Sequence, residues 1–287
     1  MTTPKDETFN GLSAKEWTIL GKNVWNDLSS PRQSHHLLHG ATFPAALAER
    51  ALSLYSKQGD IVFDPFAGIG TTIIAAAKLD RVGVGIELQE QFCTLASSLI
   101  DKEKTDLFSS KQSSRHEVIC DDCRALDKYL YSNSVQLTLS APPYPKVDIR
   151  PPKVQGPGRP RKNDLAEEML ERVPAHSLRQ DDFGNFGYQM YLEELKLVFK
   201  KVLNVTREGG YSVWVVRDQR DTYNGAQYIP VHADIINLGV SAGWRHHDLI
   251  IWDQNDQRRL VLLGYPNVFY TNLNCSYLVV FRKPKDK

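Results

Sequence analysis

Short apolar runs rich in β-branched residues alternate along the chain with segments whose apolar residues recur at i, i+3 and i+4. The first pattern predicts buried strands, and the second predicts amphipathic helices. Strands are predicted at 61–63, 82–86, 118–119, 135–139, 211–216, 249–252 and 277–281, and helices at 44–57, 71–80, 88–102, 188–205 and 231–242. The alternation predicts an α/β fold with a doubly wound, mostly parallel seven-stranded sheet. The last two strands lack an intervening helix, so we expect an antiparallel C-terminal pair.

One segment, from about 145 to 185, breaks this rhythm because it is rich in proline, glycine and charge. A stretch of this length without regular structure is usually functional or mobile. We therefore expect an N-terminal segment, 1–38, packed on a single domain, 39–287, that carries a basic mobile insertion at about 145–185. Trp17 and Trp25 are expected to anchor the N-terminal segment on the domain.

Composition narrows the class of protein. Lys and Arg number 35 against 34 Asp and Glu, so the net charge is +1 and a nucleic-acid partner must be sought in local clusters. Four cysteines without framework spacing indicate a reducing compartment, and no apolar run is long enough to span a membrane. A soluble, cytoplasmic protein is expected. Cys120 and Cys123 form a lone C-x-x-C, from which no metal site is expected.

A glycine loop follows the first strand of the predicted sheet, in the run GDIVFDPFAGIGTTIIAAA. Gly68 and Gly70 allow a tight turn and close approach of a ligand before the next helix, although a plain βα turn would use glycine too. Asp64 ends the strand, where a carboxylate can accept from an ammonium or amide of the ligand. Glu87 ends the next strand, where an acid suits a ribose diol. The loop has neither G-K-[ST] nor a third glycine, which favours a nucleoside carrying an amino acid over a dinucleotide.

A second motif, Ala141-Pro142-Pro143-Tyr144, follows the predicted strand 135–139. Two prolines cannot continue a central strand, so they form a rigid corner at the carboxyl edge of the sheet, where α/β folds bind ligands. Backbone carbonyls at such a corner can accept from the exocyclic amine of a planar base while Tyr144 stacks on it. Taken alone, a structural turn explains the corner as well.

Together, Phe66, Gly68 and Gly70 in DPFAGIGTT and the APPY corner resemble the two signature motifs of S-adenosylmethionine-dependent DNA amino-methyltransferases, which act on adenine N6 or cytosine N4. The resemblance implies a class I Rossmann-like methyltransferase fold, S-adenosyl-L-methionine as cofactor, and a flipped-out DNA base as substrate. The order of the motifs resembles the γ-type arrangement. A homodimer and a restriction endonuclease partner, as in restriction-modification systems, are left open.

The resemblance also implies site residues. Phe43 and Pro44 would contact the methionine end of the cofactor, and Asp122 its adenine amine. The implied cofactor-binding set is Phe43, Pro44, Asp64, Phe66, Gly68, Gly70, Thr71, Thr72, Glu87 and Asp122, and the implied catalytic set is Ala141, Pro142, Pro143 and Tyr144.

The chain departs from the family at Ala141, where Asp, Asn or Ser usually accepts from the target amine. Ser140 lies one position early and, on a strand, would point to the other face; Asp148 is another candidate acceptor. A small residue before Pro-Pro-Tyr is closer to the Ser variant, so cytosine N4 is favoured slightly over adenine N6. The alternatives are an RNA or protein amide methyltransferase and a catalytically silent DNA-binding subunit.

Two basic clusters are candidates for DNA binding. Residues 146–162 hold six basic residues and one acid, and Gly158-Arg159-Pro160 resembles an AT-hook core. A second cluster, at 253–272, combines arginines with Tyr265 and Tyr270. A solvated loop and a structural hairpin are the respective alternatives. The predicted DNA-binding residues are Lys146, Arg150, Arg159, Arg161, Lys162, Arg258 and Arg259.

Overall fold

The helices and strands come from a computed structural model that describes residues 8–28, 43–107, 116–144, 177, 179–221, 227–258 and 269–285. The helices are α1 (Ala14–Leu20), α2 (Ala45–Tyr55), α3 (Thr71–Lys78), α4 (Glu90–Leu107), α5 (Tyr188–Val205) and α6 (Val231–Ser241). The strands are β1 (Val24–Trp25), β2 (Ile61–Asp64), β3 (Val82–Glu87), β4 (Glu117–Cys120), β5 (Val135–Ser140), β6 (Thr206–Val216), β7 (Gln219–Asp221), β8 (Gln227–Ile229), β9 (Arg245–Asp253) and β10 (Cys275–Arg282). Two 3₁₀ turns lie at Cys123–Lys128 and Phe183–Asn185.

The central sheet has the order β1-β9-β10-β6-β5-β2-β3-β4. Strands β2 to β6 pair in parallel with one another, whereas β10 runs antiparallel to both β6 and β9. The doubly wound α/β fold and its antiparallel C-terminal pair are therefore confirmed. The described sheet has eight strands rather than seven, because Val24 and Trp25 pair in parallel with β9. A two-residue strand is too short for its periodicity to be recognised in the sequence.

The chain direction across the sheet reverses between β2 and β5. From β2 the chain builds outward to β3 and β4, then returns to place β5 on the other side of β2 and β6 beyond it. In open α/β sheets such a reversal leaves a crevice at the carboxyl ends of the two central strands, because the connections leave in opposite directions. The glycine loop follows β2 and the proline corner follows β5, so both predicted motifs border this crevice.

Hydrophobic residues cover both faces of the sheet. Phe63 and Trp214 face a cluster built with α5 and α6, while their neighbours Val62 and Val213 face a second cluster built with α2. This alternation is the period of two expected of strands buried on both faces. It explains why the strands read as continuous apolar runs in the sequence.

The N-terminal residues divide between the core and the surface. Trp25 is fully buried, as expected, but Trp17 on α1 is 46% exposed, so the expectation for Trp17 is wrong. Glu16 and Ser13 cap α1 reciprocally, which stabilises its first turn without core contacts. No helix in the described part of the chain is long and apolar enough to cross a bilayer.

The structure describes the C-terminal end of the predicted insertion, about 145–185. Residues 183–185 form a 3₁₀ turn in which Phe183 is only 4% exposed. Local composition is polar there, but a single aromatic side chain inserted into the core fixes the backbone around it. Residues 145–176 lie outside the described part of the chain.

Candidate active site

A buried carboxylate joins the ends of β2 and β5. Ser140 Oγ donates to Asp64 Oδ1 at 2.5 Å, and Thr72 Oγ1 donates to Asp64 Oδ2 at 2.7 Å. The Phe66 amide also donates to Oδ1, at 3.0 Å. Asp64 is 2% exposed. It therefore locks the glycine loop and the first turn of α3 to the strand that carries the corner, and a direct contact with a ligand stays a prediction.

Burial is the main influence on the ionisation of Asp64. Removing the carboxylate from water raises its pKa to about 6, while the hydrogen bonds from Ser140, Thr72 and the Phe66 amide act in the opposite direction. Ser140 does not replace the side-chain acceptor that Ala141 lacks. Its hydroxyl is instead fully buried and donates to Asp64, which agrees with its facing away from the corner.

The glycine loop turns sharply and is held by Glu87. Gly68 and Gly70 have φ values of 52° and 82°, in the left-handed region that favours glycine. Glu87 Oε2 accepts from the Gly68 amide at 2.9 Å, and Oε1 accepts from the Gln89 amide at 2.9 Å. Burial raises the pKa of Glu87 above its usual range. Each oxygen keeps accepting capacity for a ligand hydroxyl, as the ribose prediction requires.

Three aromatic rings pack together beside the glycine loop, and we call Phe66, Phe183 and Trp214 the aromatic wall; Phe66 is partly buried, whereas Phe183 and Trp214 lie in the core. The Phe66 ring meets Phe183 edge-on at 5.2 Å between centroids and Trp214 at 6.4 Å. The Arg124 guanidinium lies over Phe183 at 5.4 Å. Phe183 and Arg124 were missed by the sequence reasoning, although an aromatic run, FGNFG, in an otherwise polar segment was a usable signal.

Asp122 lies at the start of the 3₁₀ turn that follows β4. Its Oδ1 accepts from the Arg124 amide at 2.8 Å, and the Arg124 guanidinium pairs with the same carboxylate at 2.5 Å. Arg124 also donates to Glu194 Oε2 at 2.7 Å, which ties the turn to α5. The carboxylate is thus positioned at the carboxyl edge of β4, and its contact with an adenine amine stays a prediction.

The proline corner leaves the sheet beside β6. Ala141 is half-buried against the cluster that contains Phe43, which is 8% exposed, and Pro142 is buried. The Ala141 methyl group cannot accept a hydrogen bond, so the corner departs from the family pattern as the sequence indicates. Tyr144 is half-buried, and the Arg217 guanidinium lies 5.6 Å from its ring centroid. Burial raises the pKa of the Tyr144 hydroxyl.

The other predicted residues are placed as follows. Pro44 precedes the first turn of α2, and Thr71 begins α3, where it is 9% exposed. Arg258 follows β9 and donates to Gln254 Oε1 at 3.1 Å. Tyr270 stacks with Arg220 at 5.0 Å, as does Tyr228 at 5.3 Å. The predicted residues that lie outside the described part of the chain are Lys146, Asp148, Arg150, Arg159, Arg161, Lys162, Arg259 and Tyr265.

The two cysteines of the C-x-x-C differ in environment: Cys120 is exposed and Cys123 is buried. Over the described ranges, no group of three or more His, Cys, Asp or Glu side chains could hold a metal ion.

The fold is a Rossmann-like, doubly wound α/β sheet with the glycine loop and the proline corner at one crevice. Residues 5–98 match the family model of N6 and N4 methyltransferases, described as DNA methylase. The resemblance to the DNA amino-methyltransferases is thereby confirmed for the segment that carries the glycine loop.

Curated relatives match in similarly short segments. A type II methyltransferase of Methanothermobacter thermautotrophicus, M.MthZI, is 44% identical over 84 residues, which are 28% of this chain and 24% of that protein. M.SmaI of Serratia marcescens is 40% identical over 79 residues, 28% of this chain and 26% of that protein. The match therefore spans about a quarter of each relative. A SAM-dependent methyltransferase structure from Methanosarcina mazei is similar at 11% identity with a TM-score of 0.48, over 82% of this chain and 98% of that one.

The match to the DNA methylase family and to the type II methyltransferases supports S-adenosylmethionine as the cofactor. Glu87 offers a carboxylate at the end of β3 for the ribose hydroxyls. The glycine turn allows close approach of a ligand to the backbone. The carboxylate and the turn thus fit a nucleoside ligand.

Proposed function

We propose that this protein transfers a methyl group from S-adenosylmethionine to an exocyclic amino group of a DNA base. The proposal depends most on the hydrogen bonds that Asp64 accepts from Ser140 and Thr72. They join the glycine loop after β2 to the strand that presents the Pro-Pro-Tyr corner. The match of residues 5–98 to the DNA methylase family supports the same reaction.

The chemical difficulty is the weak nucleophilicity of the target amine, whose lone pair is delocalised into the base ring. The bound cofactor supplies an electrophilic methyl group. The corner supplies hydrogen-bond acceptors: Pro142 and Pro143 lack N–H groups, so their backbone presents only carbonyls. Accepting from the amine localises its lone pair, and holding the base in line with the donor makes the transfer a problem of positioning. Tyr144 would stack on a base flipped out of the duplex.

The proposed roles of the cofactor-binding residues follow from their places in the crevice. Glu87 binds the ribose hydroxyls, and Phe66 contributes its ring to the pocket that holds the cofactor. Asp122 accepts from the adenine amine, and Phe43 and Pro44 face the methionine end. The basic residues of 146–162, together with Arg258 and Arg259, are proposed to bind the DNA backbone.

Cytosine N4 is the proposed target, ahead of adenine N6. The support is the small residue at position 141, which resembles the Ser variant of the corner more than the Asp variant. Because Ala141 offers no side-chain acceptor, the backbone carbonyls of the corner are proposed to carry this role, with Asp148 as the alternative acceptor.

The test is transfer of labelled methyl groups to double-stranded DNA of mixed sequence, with the product nucleosides resolved by mass spectrometry. We expect N4-methylcytosine from the wild-type chain. Tyr144→Ala should abolish the product, whereas Tyr131→Ala, at a tyrosine that is 87% exposed, should leave it unchanged. N6-methyladenine as the product would correct the base assignment alone.

Ala141 also favours a second candidate, a catalytically silent DNA-binding subunit. The same assay separates the two. S-adenosylmethionine binding by calorimetry without transfer to any DNA would identify the silent subunit, and transfer by the purified chain would eliminate it.

A further inference from the structure

Arg217 is a cationic residue beside the proline corner whose charge the described structure leaves uncompensated. It follows β6 directly, is half-buried, and lies over the ring of Tyr144 at 5.6 Å. Among the described residues it forms no ion pair and no hydrogen bond. A guanidinium that is partly removed from water without a counter-ion is unfavourable, and arginine prefers planar anions that accept two hydrogen bonds.

The strand order places Arg217 on the substrate side of the corner. The glycine loop follows β2, and Glu87 is the last residue of β3. The corner follows β5 and Arg217 follows β6, so the corner lies between Arg217 and the glycine loop. The register pairs Ser140 with Trp214, and the two chains therefore leave the sheet side by side. Tyr144 and Arg217 are four and three residues beyond this pair, which explains their contact.

The backbone after Arg217 is firmly held. Asp218 is 3% exposed and accepts from the His232 amide at 3.1 Å, from His232 Nδ1 at 2.7 Å and from the Tyr228 hydroxyl. Asp218 is thus committed to α6 and to β8, and the end of β6 cannot swing away from the corner. The arginine is presented by a fixed strand end, as a preorganised binding group requires.

We propose that Arg217 binds a phosphodiester next to the flipped target base and so holds the nucleotide for stacking on Tyr144. The inference rests on the proposed function, because it takes the anion from the DNA. A second source of an anion is the carboxylate of S-adenosylmethionine. The strand order disfavours the S-adenosylmethionine carboxylate, since the corner separates Arg217 from the glycine loop.

The test compares Arg217→Met and Arg217→Lys with Arg245→Met. Arg245 is an exposed arginine at the start of β9, at the opposite edge of the sheet. Three quantities are measured for each variant: the dissociation constant for S-adenosylmethionine, DNA binding across a salt series, and the KM and kcat for methyl transfer to plasmid DNA.

Arg217→Met should weaken DNA binding by about 10- to 100-fold, as loss of a charge-assisted phosphate contact predicts. The slope of log K against log salt should shrink by about 0.9, the value for one neutralised phosphate. Arg217→Lys should keep the slope but lose kcat/KM, because an ammonium cannot bind bidentately. Cofactor affinity should stay within about twofold of wild type in both variants, and Arg245→Met should match wild type throughout.

Three results would overturn the inference. The inference is rejected if Arg217→Met binds DNA as tightly as the wild-type chain and with the same salt slope. If the wild-type chain methylates DNA in that experiment, the proposed function still holds. Weaker S-adenosylmethionine binding with unchanged DNA binding would assign the anion to the cofactor. If the wild-type chain neither binds nor methylates DNA, the proposed function itself fails, and the inference with it.

Discussion

Ser140→Ala tests whether the link between the two motifs of the site has the strength that its geometry indicates. The substitution removes the hydroxyl that donates to Asp64 Oδ1 at 2.5 Å, at a position that is fully buried. A buried hydrogen bond to a charged acceptor contributes about 1.5–3 kcal/mol. For a chain of this size each kcal/mol lowers Tm by about 2–4 °C, so we expect a decrease of about 3–12 °C.

The same substitution should weaken the cofactor site. Asp64 keeps its bonds to Thr72 and to the Phe66 amide, so the glycine loop stays folded but loses its connection to β5. We expect S-adenosylmethionine affinity to fall by about 3- to 10-fold, which corresponds to roughly 0.7–1.4 kcal/mol.

The assay is thermal unfolding followed by calorimetric titration of the cofactor, with Ser134→Ala as the control. Ser134 precedes β5 at its other end and is half-buried, and its hydroxyl donates to the Tyr131 carbonyl at 2.7 Å. This control should change the free energy of unfolding by less than about 0.5 kcal/mol. A Tm and an S-adenosylmethionine dissociation constant for Ser140→Ala equal to those of Ser134→Ala would refute the proposed link between the two motifs.

Three further predictions concern the same crevice. Because the pKa of Asp64 is raised from 3.8 to about 6, the folded state binds a proton more readily than the unfolded one, and stability from this group is lost as pH rises from about 4 to 6. The free energy of unfolding of wild type relative to Asp64→Asn should therefore fall by roughly 2 kcal/mol between pH 4 and 7 in urea titrations, and a constant difference would contradict the pKa. Phe183→Leu should change the free energy of unfolding by no more than about 1.5 kcal/mol. It should lower S-adenosylmethionine affinity, because it removes the edge-on contact with Phe66, and wild-type affinity in calorimetry would exclude the aromatic wall from the cofactor site. Ala141→Ser should raise kcat for methyl transfer by about tenfold through a new acceptor worth about 1.4 kcal/mol in the transition state, and an unchanged kcat would mean that the backbone carbonyls suffice.

Local pattern was enough for the fold and for the two motifs. Strands buried on both faces read as continuous apolar runs, and the helices that cover them read as amphipathic periods, so the predicted ranges agree closely with the observed ones. Glycine at positive φ and paired prolines have backbone preferences of their own, which explains why the loop at Gly68 and Gly70 and the corner at Pro142 were visible in the sequence.

Tertiary structure decided the partners of the site residues. Asp64 is predicted as a ligand acceptor, and only the structure shows that its carboxylate also accepts from Ser140, Thr72 and a loop amide, since strands distant in sequence become neighbours at the reversal of the sheet. Phe183 entered the aromatic wall from a segment whose composition is that of a loop. Contacts of this kind depend on strand order and register, which arise only when the whole core packs, and no local pattern encodes them. The sequence alone thus determined the elements and the chemistry of the two motifs, whereas the fold decided which side chains face a ligand and which hold the site together.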